Sequence, residues 1–512
     1  MSEFPWLTVL GALPLVGSVV VAVLPRGRDQ VAKVTALAFS LATLVWTIVV
    51  ATRFTPSGGM QLREQVSWIP QFGVSYAVGV DGIALVLVGL TAVLTPVCLL
   101  AGWHDAQARG RSVKAYFSLL LALETLTIGV FVATDVFLFY VFFEAMLIPM
   151  YFIIGAYGGH QRSYAAVKFL LYSLLGGLVM LAALITLYVV SPGGEHAFLL
   201  DNLVGLHLDT TTARWLFLGF FFAFAIKAPM WPVHTWLPDA AAESPPSGAV
   251  LLVGVLDKVG TFGMLRLCLP LFPEAARWAA PVIIVLAVIG VLYGAIVALG
   301  QRDLMRLIAY TSISHFGLIV LGVFAMTTQA QTGATLYMVN HGFTTAGLFL
   351  IAGMLLRRRG SAMVDDFGGV QRVAPLIAGT FLVAGLASLA LPGLSSFVSE
   401  FLVFVGTFRR YPVAAVVSVL AIVLAALYIL ITYKRMFTGP VTEHTRGFRD
   451  MTAREAWVVA PILVVIVGLG VYPKPVLDVI NPAVTRTLTQ VGVSDPAPTV
   501  PVASAHAEGN QP

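Results

Sequence analysis

Four charged residues lie deep inside apolar runs. Glu144 sits in FLFYVFFEAMLIPMYF, Lys227 closes FLGFFFAFAIK, Lys258 sits in AVLLVGVLDKVGTFGMLR and Glu400 in ASLALPGLSSFVSEFLVF. Glu124, His315 and His341 lie in three further runs of the same kind. A charge at the centre of a bilayer costs about 2.5–3.5 kcal/mol on insertion scales. A purely structural protein would not repeat that cost on seven helices. Carboxylates, lysines and imidazoles are the side chains that take up and release protons, so the chemistry indicated is proton transfer. A sugar or amino-acid site would instead show clustered Asn, Gln and aromatic residues. Plainer roles are open for several of the group. His341 can serve as a hydrogen bonder between helices, Glu124 as a static partner for a neighbouring helix, and Asp257 as the counter-charge of Lys258 or a group reaching the helix end. Arg266, near the outer end of its run, can extend to the interface.

The elements that must position these residues are membrane helices. The chain has 512 residues, 58% hydrophobic and 11% charged, with mean hydropathy +0.91. A soluble domain carries about 25% charged residues. The net charge of +5 does not indicate nucleic-acid binding, because the basic residues are scattered singly in short loops. Cys98 and Cys268 lie in separate apolar runs and read as small buried residues rather than metal ligands. Apolar runs predict helices at 4–24, 31–52, 83–103, 113–134, 136–156, 165–190, 214–236, 247–269, 279–299, 304–326, 334–356, 373–408, 412–437 and 455–472. That is fourteen crossings, with both termini on one side. The first run lacks a basic leader and reads as a spanning helix, not a cleaved signal. Residues 53–82 alternate around Pro70 and Gly73 and predict a short extramembrane hairpin. The tail after Asn481, ending SDPAPTVPVASAHAEGNQP, reads as mobile.

Two helices are broken beside a charge. The stretch KAPMWPVHTWLPDAAAESPPSG, Lys227 to Gly248, places prolines at membrane depth, and Pro392 with Gly393 interrupts the twelfth run before Glu400. Non-helical backbone at that depth needs protein or a water-filled cavity around it. Broken helices at corresponding places in two halves point to inverted repeats. The fold expected is therefore all-α and integral to the membrane, with five-helix repeats formed by helices 4–8 and 9–13. The divisions are 1–112 (three helices and the hairpin), 113–270 (first repeat), 271–437 (second repeat) and 438–512 (last helix and tail). Of the 30 Lys and Arg, nineteen fall in odd-numbered loops and eight in even-numbered loops and the tail. That bias puts the odd loops in the cytoplasm and both termini outside it.

The segments FFEAMLIPMYFIIG, KAPMWPVHTWLPDA, RLCLPLFPEA, LIAYTSISHFG and LPGLSSFVSEF together resemble the antiporter-like membrane subunits of respiratory complex I, the bacterial NADH:quinone oxidoreductase. The likeness covers nearly the whole chain. LPLFPEA and VYPKPVLDVI are similar to the chain 4 type, and the chain does not continue into the long lateral helix of the L type. The resemblance implies proton pumping driven by redox chemistry in other subunits, in a bacterial plasma membrane. It implies a Glu144–Lys227 pair, a central Lys258 and a distal Glu400, joined by His234, His315 and His341, with Glu124 as a further candidate. It implies L-, N-, K- and J-type neighbours and no flavin, iron–sulfur cluster or NADH bound to this chain. No GxGxxG follows a strand and no cysteine cluster is present. One departure stands out: the family's histidine after HTWLPD is missing, since Ala240, Ala241 and Ala242 follow Asp239. Lys227 and His234 are then the main proton-handling candidates of this stretch, with Glu243 a less direct one. Two rival readings are a stand-alone Na⁺/H⁺-type antiporter subunit and a non-transporting scaffold.

Overall fold

The computed structural model describes residues 4–497. In chain order the principal helices are α1 (Trp6–Val23), α2 (Asp29–Arg53), α3 (Gly82–Ala101), α4 (Val113–Val132), α5 (Val136–Tyr157), α6 (Arg162–Val190), α7 (Thr210–Lys227), α8 (Trp236–Glu243), α9 (Pro246–Leu271), α10 (Pro273–Leu299), α11 (Leu304–Phe324), α12 (Thr328–Arg359), α13 (Pro375–Ser388), α14 (Ser395–Phe408), α15 (Pro412–Phe437), α16 (Ala453–Val471) and α17 (Lys474–Val491). Twelve of them are long and apolar enough to cross a membrane. The exceptions are α17 and the pieces of the two broken runs, α7 with α8 and α13 with α14. The count of fourteen crossings thus depends on treating each broken run as one passage.

Between α2 and α3 the strands β1 (Gln61–Ile69) and β2 (Val74–Val80) pair antiparallel, with Gly73 in the left-handed region at the turn (φ 68°). Many helix starts are closed by a side-chain acceptor at the N-cap. Asp135 accepts from Phe137 and Leu138, Asp209 from Thr211 and Thr212, and Asp303 from Arg306. The helix centre of the molecule is α9, whose apolar window is wholly buried, followed by α11 and α12 at 94%. α1, α2, α15 and α16 surround it and turn apolar residues such as Val16, Val19, Val23, Val416 and Val423 outward. Such a surface is satisfied by lipid.

Both breaks form where the sequence places proline. α7 stops at Lys227, since Pro229 lacks an N–H and disfavours helical backbone in the residue before it. Trp236 Nε1–H donates to the Ile226 carbonyl (2.9 Å) and Met230 N–H to the Ala225 carbonyl (2.9 Å), so the freed helix end stays satisfied. In the second break Ala390 (φ 59°) and Gly393 (φ 90°) turn the chain between α13 and α14.

The tail differs from expectation. Asn481 lies within α17, which continues to Val491; the rest of the tail beyond residue 497 lies outside the described residues. α17 buries Ile480, Ala483, Val484, Thr487, Leu488 and Val491, a helical stripe packed on α3 and α12. The basic loops gather on one side. There Lys33 Nζ donates to Gln107 (2.8 Å), Arg357 pairs with Asp105 (3.3 Å) and Arg358 with Glu455 (2.7 Å). On the opposite side Arg63 pairs with Asp201 (2.5 Å), and Arg277 and Arg410 donate to the Val491 and Ser494 carbonyls (2.6 and 2.7 Å).

Candidate functional site

Lys258 is completely buried in α9. The helix there is not regular: Leu252–Leu256 is a π-turn, in which Asp257 N–H donates to Leu252 O (3.1 Å) rather than to Val253 O. The carbonyl of Val253 is thereby freed, and it accepts from Lys258 Nζ at 2.6 Å. π-turns recur at functional positions for this reason. The second partner of Lys258 is Nδ1 of His341 on α12, at 2.7 Å. While Lys258 is an ammonium it only donates, so Nδ1 then accepts and the imidazole proton is on Nε2. Phe316 covers the ammonium with its ring centre 4.9 Å away.

From His341 further polar groups follow at ring-contact distance, although His341 Nε2 and His315 Nδ1 have no hydrogen-bond partner. His315 on α11 lies with its ring centre 5.2 Å from that of His341, and 5.8 Å from that of Tyr337. His315 Nε2 meets the Tyr428 hydroxyl at 3.3 Å. The Tyr337 hydroxyl donates to Glu400 Oε1. Glu400 is buried on α14, just past the second break. Asn340 fixes that helix start, donating to the Ser395 carbonyl (2.6 Å) and to Ser399 Oγ (3.1 Å). Five helices, α9, α12, α11, α15 and α14, thus contribute to one row from Lys258 to Glu400.

The Lys227 end is built differently. Lys227 is the last residue of α7, buried, with no hydrogen-bond partner on Nζ. Its ammonium lies 5.2 Å from the Phe143 ring centre and 5.5 Å from that of Phe169. Glu144 follows Phe143 on α5, yet no ion pair or hydrogen bond joins Glu144 to Lys227. Its Oε1 is likewise buried without a partner. The carboxyl rests instead on Gly177 of α6, where any Cβ would collide with it. His234 lies in the break after Lys227, both ring nitrogens unpartnered, its ring 4.9 Å from Tyr293.

The chain matches the model of the family described as NADH:quinone oxidoreductase/Mrp antiporter, TM over residues 133–425. It is 54% identical to NADH-quinone oxidoreductase subunit M of Mycobacterium tuberculosis, covering 100% of both chains. A chain of respiratory complex I from Thermus thermophilus has the same fold, with TM-score 0.87 and 31% identity, over 95% of this chain and 100% of that one. A chain of the Mrp complex from Dietzia sp. DQ12-45-1b matches in fold, with TM-score 0.86 and 22% identity, over 96% and 100%. The chain belongs to the NADH:quinone oxidoreductase/Mrp antiporter membrane-subunit family.

Within this family member, some residues singled out from the sequence stand apart from the row. Glu124 is buried on α4 with both carboxyl oxygens unpartnered, and no hydrogen bond links it to either lysine. Asp257 does not neutralise Lys258 through an ion pair; Lys258 has turned to Val253 and His341. Arg266 has a partner within the chain. It is buried, and Nη2 donates to Asp81 Oδ1 at 2.7 Å, because the end of the hairpin brings the N-cap of α3 against α9. Glu243 accepts from the Gln161 backbone N–H (2.9 Å) at the start of α6, which is a capping role. Sequence reasoning missed Asp239, which takes Lys168 (2.6 Å) and Arg306 (2.5 Å) and ties α8 to α6 and α11. It also missed Tyr337 and Tyr428. Tyr337 carried a usable signal, since it precedes His341 by four residues and shares its helix face. Tyr428 carried none.

Proposed function

We propose that this chain is the proton-translocating membrane subunit, of the M type, of a bacterial NADH:quinone oxidoreductase. It is a multi-pass protein of the plasma membrane and sits among other membrane-arm subunits. The observation that carries the reading is the buried row Lys258–His341–His315–Tyr337–Glu400, which crosses between helix systems. The 54% identity over the full chain to a subunit M supports the assignment to that complex. Redox chemistry belongs to other subunits, and this chain holds no cofactor of its own.

Burial favours the neutral amine, whereas a nearby carboxylate favours the ammonium. A change in the position or charge of Glu144 therefore loads or unloads Lys227. Neither Glu144 Oε1 nor Lys227 Nζ is held by a hydrogen bond. Lys258, His341 and His315 relay the proton and Glu400 passes it outward. Moving one charge against 100 mV takes about 2.3 kcal/mol, and each pKa unit of swing supplies about 1.36 kcal/mol, so a swing of about two units is enough. The two broken runs count as crossings in this reading, giving fourteen, with inverted repeats of helices 4–8 and 9–13. The basic loops are cytoplasmic and both termini face outward.

The test is Lys227→Ala and Glu144→Ala in the assembled complex. NADH-driven proton uptake by inverted membrane vesicles is expected to fall. Uptake at wild-type level with assembly intact refutes the assignment. A stand-alone Na⁺/H⁺ antiporter subunit is the second reading, favoured by the shared fold of the Mrp chain. Co-purification with NADH-oxidising subunits separates the two.

A further inference from the structure

The row described above begins at Lys258, and Lys227 has no hydrogen bond to it. Asp257 immediately precedes Lys258 on α9. It is entirely buried, and neither carboxyl oxygen has a partner. Leaving a buried polar group unpaired costs about 1–3 kcal/mol, and more for a charge, so a plain packing role does not account for it. Its position is set by close packing. Three residues on, Gly260 meets the end of α7 so tightly that a Cβ there would sit 2.6 Å from Ala228 N and from Phe224 O. Gly263 continues that face against the Phe224 ring. Residues three apart share a helix face. Asp257 is therefore presented to α7 at the level where that helix ends, beside Lys227 and the break that holds His234. The nearest lysines along these two elements are Lys227, which ends α7, and Lys258, the next residue on α9. A fixed counter-ion would sit in an ion pair with one of them, yet Lys258 is occupied by Val253 and His341 and Lys227 is unpaired.

We propose that Asp257 is a further proton-carrying residue, joining the Lys227 site to Lys258. The inference rests on the proton-translocation reading above. The Lys227 ammonium gives its proton to the Asp257 carboxylate, leaving a neutral amine and a carboxylic acid. The acid then gives that proton to the neutral amine of Lys258, which becomes an ammonium, and the carboxylate is restored. Charge and protons balance at each step. The lysine stems are long and flexible enough to approach the carboxyl from either helix.

The experiment compares Asp257→Asn, Asp257→Glu and Lys227→Ala in the full complex, reading proton uptake by inverted vesicles per NADH oxidised. Asp257→Asn is expected to lose most of the uptake that Lys227→Ala loses, and Asp257→Glu to keep it. Wild-type uptake in Asp257→Asn beside a loss in Lys227→Ala overturns this inference alone. Wild-type uptake in both overturns the underlying reading as well. Where Asp257→Asn does not assemble, the Asp257→Glu complex carries the test by redox-driven infrared difference spectroscopy. An aspartic-acid carbonyl band is expected to give way to a glutamic-acid band. A spectrum identical to wild type overturns the proposal.

Discussion

Replacing His341 with phenylalanine tests the centre of the row. The ring is fully buried, 5.3 Å from Phe316 and 5.2 Å from His315 between centres, so a benzyl group fills nearly the same space. What disappears is the Nδ1 acceptor, 2.7 Å from Lys258 Nζ. Lys258 then keeps only the Val253 carbonyl at 2.6 Å. A hydrogen bond to a charged group contributes about 1.5–3 kcal/mol. At about 1.36 kcal/mol per factor of ten, its loss slows proton arrival at this point roughly ten- to hundredfold. The assay is NADH-driven proton uptake by inverted vesicles, set against NADH oxidation with an uncoupler present. His341→Phe is expected to reduce uptake while uncoupled oxidation stays near normal. His341→Gln supplies an acceptor for the ammonium but no ring to pass a proton through, so its uptake is expected to stay low. Full uptake in His341→Phe would refute the row as the proton route. Full uptake in His341→Gln would reduce the residue to an acceptor for Lys258.

Two further outcomes follow from the same geometry. Gly177→Ala places a methyl group on the Glu144 carboxyl and is expected to lower uptake in an assembled complex; unchanged uptake would show that this seat for the carboxyl is not needed. Arg266→Met strands Asp81 without its partner at 2.7 Å. Breaking a buried pair costs about 3–5 kcal/mol, towards the lower end here because Asp81 Oδ1 still accepts from Ala84 N–H. Thermal unfolding of the purified complex is expected to begin at lower temperature, with partial recovery in Arg266→Met, Asp81→Asn. A melting profile like wild type in the single variant would contradict the pairing.

The sequence by itself determined which side chains are out of place. A lysine, glutamate or histidine in an apolar run is conspicuous because lipid penalises charge wherever it falls. Lys227, Lys258, His315, His341 and Glu400 were legible on that ground, and the helix breaks were legible from Pro229, Pro232, Pro392 and Gly393. The amphipathic α17 was also legible, in the spacing of Ile480, Val484, Leu488 and Val491, though its polar and Pro-rich surroundings read as a tail. Partnership was not legible. Lys258 meets His341 across 83 residues, and Tyr337 meets Glu400 across 63. A tyrosine in an apolar helix is ordinary, so nothing in the sequence distinguishes Tyr428 from its neighbours. The lack of an ion pair between Glu144 and Lys227, the burial of Arg266 against Asp81 and the turning of Lys258 away from Asp257 depend on how separate helices pack. The penalty for burying a charge is local to the residue, and the chain states it outright. The group that answers the charge is chosen by the tertiary structure, because only packing brings distant helices within hydrogen-bond reach.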